Sequence, residues 1–350
     1  MVRRRALLAA AGGLLVLFAG QPRGLGWDYE GHRLVNQLAL ASLPADFPSF
    51  VRAPEAQERV AFLSGEADRW RNTPDLPLKH FNSPDHYFDF EDLEPLGLKP
   101  AGLSHFRYEF LAQLANARTA HPKRFPPVDP AKDADKTRAL IGLLPWTITE
   151  YYAKLKSQFS YLKAYEADGT PEEIANAQQN IIYIMGVMGH FVGDAAQPLH
   201  TTRHHHGWVG PNPRGFTTNY SFHAWIDGGF FEKAGLNRVE LLGRVRPAKP
   251  LWPAAPKTPH ADVFPEVVSF LVDQHQMVEP LYELQQKGLL SGEGDAGKQG
   301  RAFLAGQLLK AAQFLGDLWL TASEQTTPDG YLRAQLAKRK AAKENPTPVQ

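Results

Sequence analysis

The stretch TPEEIANAQQNIIYIMGVMGHFVGDAAQPLH, residues 170–200, decides the fold class. Thr170 offers a capping oxygen, Pro171 has the backbone angle suited to a first helical position, and Glu172 and Glu173 place negative charge where the helix dipole favours it. Apolar residues then recur at helical spacing over 171–195, and Pro198 stops the run because its ring cannot continue a helix. The same periodicity marks residues 32–43, 107–120, 139–166, 262–287 and 300–323. Alternating, strand-like segments are scarce and no repeat is present. The Pro-rich stretch HPKRFPPVDPAKDADK, residues 121–136, reads as a connector within one domain. These features predict an all-α protein with a single mainly helical domain over residues 27–328.

Composition sets the chemistry that this domain can host. The 350 residues include no cysteine, thirteen histidines, 38 basic and 37 acidic side chains, with 43% hydrophobic content and a mean hydropathy of −0.35. A disulfide scaffold, a thiolate metal site, wholesale disorder and a polytopic membrane protein are thereby excluded. Arg3, Arg4 and Arg5 precede an apolar run over 6–20, shorter than the ~20 residues that a membrane span needs. Residues 1–26 therefore read as an export signal of the Sec or twin-arginine type, and the mature chain is expected in the periplasm or outside the cell, starting at Trp27. Residues 329–350 read as a basic, disordered tail, with Arg333, Lys338, Arg339, Lys340 and Lys343 against Glu344. Removing the four arginines of residues 1–26 turns the net charge from +1 to −3, and setting aside residues 331–350, with five cations and one acid, leaves −7 on residues 27–330. An acidic body does not attract a phosphate-bearing substrate unaided, so local positive charge has to come from elsewhere.

The metal-ligand side chains suggest a source. His190 and Asp194 are four residues apart and project from one helix face, with His200 just past the helix end. His223 and Asp227, in HAWID, repeat that spacing. Burying such carboxylates among residues such as Ile184, Met185 and Phe191 is too costly without a cation. With no thiolates, imidazole and carboxylate donors favour zinc, with manganese and iron left open. If cleavage exposes Trp27, its free α-amino group becomes a further ligand, with His32 close behind. The run His204, His205, His206 lies in a loop rich in Gly and Pro and reads as solvated or facing substrate.

Five motifs follow in order: W-x4-H at Trp27 and His32; A-D-x-x-R at Ala67, Asp68 and Arg71; H-[YF]-x-D at His86, Tyr87 and Asp89; G-H-F-x-G-D-x-x-Q-P-L-H at residues 189–200; and His223, Trp225 and Asp227. Over most of residues 27–320 this pattern resembles the zinc-dependent S1/P1 nuclease and phospholipase C superfamily. The resemblance implies an all-helical fold with three zinc ions. Asp68, His86, His190 and Asp194 would hold one, Trp27, His32 and again Asp194 a second, and His200, His223 and Asp227 the third. It further implies Asp68 as general base, Arg71 as a partner of phosphate or of Asp68, Tyr87 stacking on a base and Asp89 bonding its edge. Ser221 stands where the family usually has Asn, and Asn219 is the expected substitute for that phosphate contact.

The short spacer between Trp27 and His32, and Asp227 where the phospholipases use Glu, resemble the nuclease branch. The implied activity is hydrolysis of single-stranded DNA or RNA and 3′-nucleotides to 5′-phosphate products by a metal-activated hydroxide, with no stable protein partner. Phospholipid head groups are the alternative substrate. His80 competes with His86 for one ligand position, and His86 is preferred because Asp89 follows at the family spacing. The segment between His86 and His190 is longer than the family pattern and is expected to cover or reshape the cleft.

Overall fold

A computed structural model describes residues 27–252, 263–292 and 294–344. In chain order its helices are α1 (Tyr29–Ser42), α2 (Pro54–Leu63), α3 (Glu66–Arg71), α4 (Leu76–Asn82), α5 (Arg107–Ala120), α6 (Leu144–Asp168) and α7 (Pro171–Ala196). They continue with α8 (Phe222–Ala224), α9 (Phe231–Ala234), α10 (Arg238–Leu242), α11 (Phe264–His275), α12 (Val278–Gln286), α13 (Gly294–Glu324) and α14 (Gly330–Glu344). No strand forms among the described residues, so the protein is all-α as expected. The expected leader, residues 1–26, lies outside the described residues. Among those described, no helix is long and apolar enough to cross a membrane.

Helix α7 begins as its sequence dictates: the Thr170 hydroxyl accepts the Glu173 N–H at 3.3 Å, and the Glu173 carboxylate accepts the Thr170 N–H at 2.9 Å. From Met185 to Ala196 every residue is buried, the condition of a helix in the middle of a bundle. It packs against α6, α2, α13 and α1. Asn36 of α1 donates to the carbonyls of Val60 and Gly186 at 2.8 and 3.0 Å, tying α1, α2 and α7 together.

Three departures from the expected pattern have local reasons. The helix predicted over 139–166 starts at Leu144, because Gly142 takes φ +98° and its backbone passes so near Tyr87 that a Cβ would lie 2.0 Å from the Tyr87 carbonyl oxygen. The helix predicted over 262–287 divides into α11 and α12, since Pro280 has no N–H to give the Gln276 carbonyl four residues back. The tail expected to be disordered is α14 over Gly330–Glu344. It buries Leu336, and Arg339 clasps Glu173 through two bonds of 2.6 and 2.8 Å.

The long segment between His86 and His190 forms α5, a set of turns, α6 and the first part of α7. Phe110 of α5 stacks on Trp146 at 4.3 Å between ring centres, and Phe88 meets Trp146 edge-on at 5.7 Å. Its 141–144 stretch runs beside 84–89: Asp89 N–H donates to Ile141, Leu143 N–H to Pro84 and Leu144 N–H to Tyr87, at 2.8, 2.6 and 3.2 Å. On the other edge Phe88 N–H donates to the His200 carbonyl at 2.9 Å. The segment thus braces the backbone that carries His86.

Candidate metal centre

The buried end of α7 aims His190 and Asp194 inward, both with 0% exposure. His190 Nδ1 lies 2.6 Å from the Ser64 carbonyl oxygen, to which it can only donate, so Nε2 carries the lone pair. That Nε2 is 3.2 Å from Asp194 Oδ2 and 3.0 Å from His86 Nδ1. His86, from the 3-10 turn Ser83–His86, reaches Asp194 Oδ2 at 2.9 Å. Asp68, on α3, brings Oδ1 to 3.9 Å from His190 Nε2 and 4.0 Å from His86 Nδ1.

Helix α1 adds His32, whose ring stacks on His190 at 3.9 Å and whose Nε2 lies 3.5 Å from Asp194 Oδ1. Gly193 makes this possible: a Cβ there would stand 2.7 Å from His32 Nδ1. Trp27 is buried, and its indole N–H donates to the Gly193 carbonyl at 2.8 Å.

His200 follows α7 in the turn Pro198–Thr201. Its Nδ1 lies 2.5 Å from the His86 carbonyl oxygen, which leaves Nε2 buried with no hydrogen-bond partner. His223 and Asp227 stand on α8 and the π-helical turn Trp225–Phe230, the wider kind of turn that recurs at functional sites. Their Nε2 and Oδ2 are 2.8 Å apart, and the rings of His200 and His223 are 4.8 Å apart. Gln197 orients the acid by donating to Asp227 Oδ1 at 2.5 Å. The residue that caps α1 joins in, since Asp28 N–H donates to the Asp227 carbonyl at 3.1 Å.

All eight His and Asp residues expected as ligands fall into three buried groups that could hold metal ions: His32, Asp68 and His190; His86, His190 and Asp194; and His200, His223 and Asp227. The third is the set implied from sequence. In the first two the donors interleave, with His190 shared and Asp194 also within 3.7 Å of His200 Nδ1.

Electrostatics argue for cations in these groups. Burial, with Arg71 adding, pulls His86 and His223 down to about 4, and burial also lowers His200. Burial acts against ionised Asp194, yet His200 and His190 hold its carboxyl well below the usual range. His190 is raised despite burial, by Asp194 and Asp68. Asp68 is lowered despite burial, by the Arg71 guanidinium at 2.8 Å. Asp227 is driven well above the usual carboxylate range by burial. His86 Nε2, His200 Nε2 and Asp194 Oδ1 are buried without hydrogen-bond partners, a state that costs about 1–3 kcal/mol per neutral group and more for a charged one. Divalent ions would satisfy these atoms together, so the donor set fits metal.

His80 is exposed, its Nδ1 2.7 Å from the Asp135 carbonyl oxygen, and it joins none of the three groups. Tyr87 is half-buried, its phenol raised by burial. Asp89 is buried, and its carboxyl is held well above the usual range by burial, with Asp92 and Glu91 adding. Asn219 is exposed, and its Oδ1 accepts the Ser221 N–H at 2.9 Å, a turn contact at the entry to α8. His204, expected to be solvated or facing substrate, is buried: its ring stacks on Trp208 at 3.9 Å and its Nδ1 accepts the Val209 N–H. His205 and His206 stay half-buried beside His223. The orienting roles of Gln197 and the Ser64 and His86 carbonyls were not anticipated; for Gln197 the signal was its place between Asp194 and His200. Neither a scan of protein-family models nor a search of curated proteins finds a match to this chain.

Proposed function

We propose that this protein is an exported zinc-dependent phosphodiesterase that hydrolyses single-stranded nucleic acid and 3′-nucleotides to 5′-phosphate products. The observation that carries the reading is the convergence of three buried His/Asp groups around Asp194, with ring nitrogens and a carboxylate oxygen left unsatisfied. The absence of cysteine makes zinc held by nitrogen and oxygen donors the favoured choice. The likeness of motifs to the S1/P1 nucleases supports the same reaction.

Asp68, His86, His190 and Asp194 would hold one ion, the Trp27 α-amino group, His32 and Asp194 a second, and His200, His223 and Asp227 a third. Bound divalent ions would supply Lewis acidity and a lowered pKa for coordinated water. Within the protein, Asp68 is kept ionised by Arg71, the state required of a general base. The Arg71 charge also bears on His86, His200, His223 and Asp227, so its guanidinium is directed toward the cluster as a phosphate partner would be. This cationic centre resolves the charge problem posed by a body of net −7.

The test compares mature, zinc-loaded protein on single-stranded DNA, RNA and a choline phosphodiester. Cleavage of the nucleic acids to 5′-phosphate ends is expected; turnover of the choline diester alone would replace the reading with a phospholipase.

A further inference from the structure

Two aromatic residues, His206 and Tyr220, stack beside the third group without belonging to it. His206 and Tyr220 lie on facing loop segments paired by Trp208 N–H donating to the Thr217 carbonyl at 2.8 Å. The first segment is anchored inward: Trp208 stacks on the buried His204, and the Tyr282 hydroxyl donates to the His204 carbonyl at 2.5 Å. The second is fixed by the Asn219 turn, whose side chain accepts the Ser221 N–H and whose carbonyl accepts the Phe222 N–H. On this rigid support Tyr220 is 73% exposed, with its ring stacked on His206 at 4.4 Å and 30°. The His206 ring is in turn 5.8 Å from that of the ligand residue His223.

A large aromatic ring held open to water on an ordered loop, one ring away from a metal ligand, offers a flat face to another π-system. Tyr87, the residue expected to stack a base, is half-buried by contrast. We infer that the Tyr220–His206 pair is a stacking platform for an unpaired nucleobase, next to the phosphodiester served by His200, His223 and Asp227. The inference rests on the phosphodiesterase reading and adds to it the residues that would contact a base of the single strand. A single open face backed by an imidazole suits a planar base; a quaternary ammonium head group is held by a cage of several aromatic rings.

The experiment measures binding, by fluorescence anisotropy, of zinc-loaded protein to a labelled phosphorothioate thymidine decamer and to an abasic strand of the same length and linkage. Tyr220→Ala should weaken the thymidine strand about 10-fold and leave the abasic strand within about 2-fold, because base stacking is what is lost. Tyr220→Phe should bind both strands like wild type, and zinc content should be unchanged in either variant. Equal affinity of wild type and Tyr220→Ala for the thymidine strand, or equal losses on both strands, would overturn the platform alone. Failure of wild type to bind either strand would take down the nucleic-acid reading and the platform with it. Weakened binding of a choline phosphodiester by Tyr220→Ala, with the thymidine strand unaffected, would overturn the platform in favour of a head-group site.

Discussion

His86 and His80 show how much depends on where one imidazole stands. His80 lies within helix α4 and His86 four residues past its end, and contacts distant in sequence separate them: His86 meets Asp194 at 2.9 Å, whereas His80 turns to the Asp135 carbonyl. His86→Ala should therefore lower the zinc bound per chain, and His80→Ala should leave it unchanged, as measured by plasma emission on dialysed protein. Equal zinc in His86→Ala and wild type would exclude His86 as a ligand. The same groups set the pH response. Asp227 and His190 have folded-state values above their ordinary ones, so protons compete with metal at these two groups as pH falls. Affinity at their groups should fall as pH drops through those raised values, with protons released on binding. Calorimetry in buffers of different ionisation enthalpy reads that release, and enthalpies independent of buffer would contradict it. His86 and His223, lowered to about 4, are already neutral at pH 7 and should not compete there.

At the scale of elements, the site depends on how near α1 comes to α7. Gly193 leaves the space that His32 fills. Gly193→Ala should push His32 out of its stack on His190, costing about 1–3 kcal/mol as overpacking does and reducing bound zinc. A variant with wild-type melting temperature and full zinc would show that the close approach is unimportant. The helix that the sequence made most legible was α7, with its long apolar stripe, together with the ligands it and its end carry, His190, Asp194 and His200. Asp68, Arg71 and His86 sit on short helices and turns where periodicity has no purchase, and they were reachable through motif likeness alone. Helix α14 was hidden because five cations dominate its composition, while the feature that docks it is one buried Leu336 and an ion pair to Glu173, distant in sequence. His204 was misjudged for a similar reason: its loop looks polar, but Trp208 and Tyr282 fold it inward.

For the whole molecule, metal binding would be coupled to folding. Three acids and five imidazoles are buried around one another with no disulfide to hold the chain, so ions that bind only the folded state should stabilise it. At a free metal concentration 100 times Kd, each site would add about 2.7 kcal/mol. Chelation should lower the melting temperature, and zinc should restore it. The body's acidity also means that nucleic-acid affinity should come from the metal centre and its surroundings, so metal-free protein should bind single strands poorly at all salt concentrations.

Whether the three His/Asp groups around Asp194 are a metal centre is decided by the zinc content of protein prepared to begin at Trp27. Three zinc ions per chain, falling when Asp194 is changed to Asn, is the result predicted. Protein that is folded at neutral pH in the presence of zinc, yet retains no stoichiometric metal after dialysis, would contradict it.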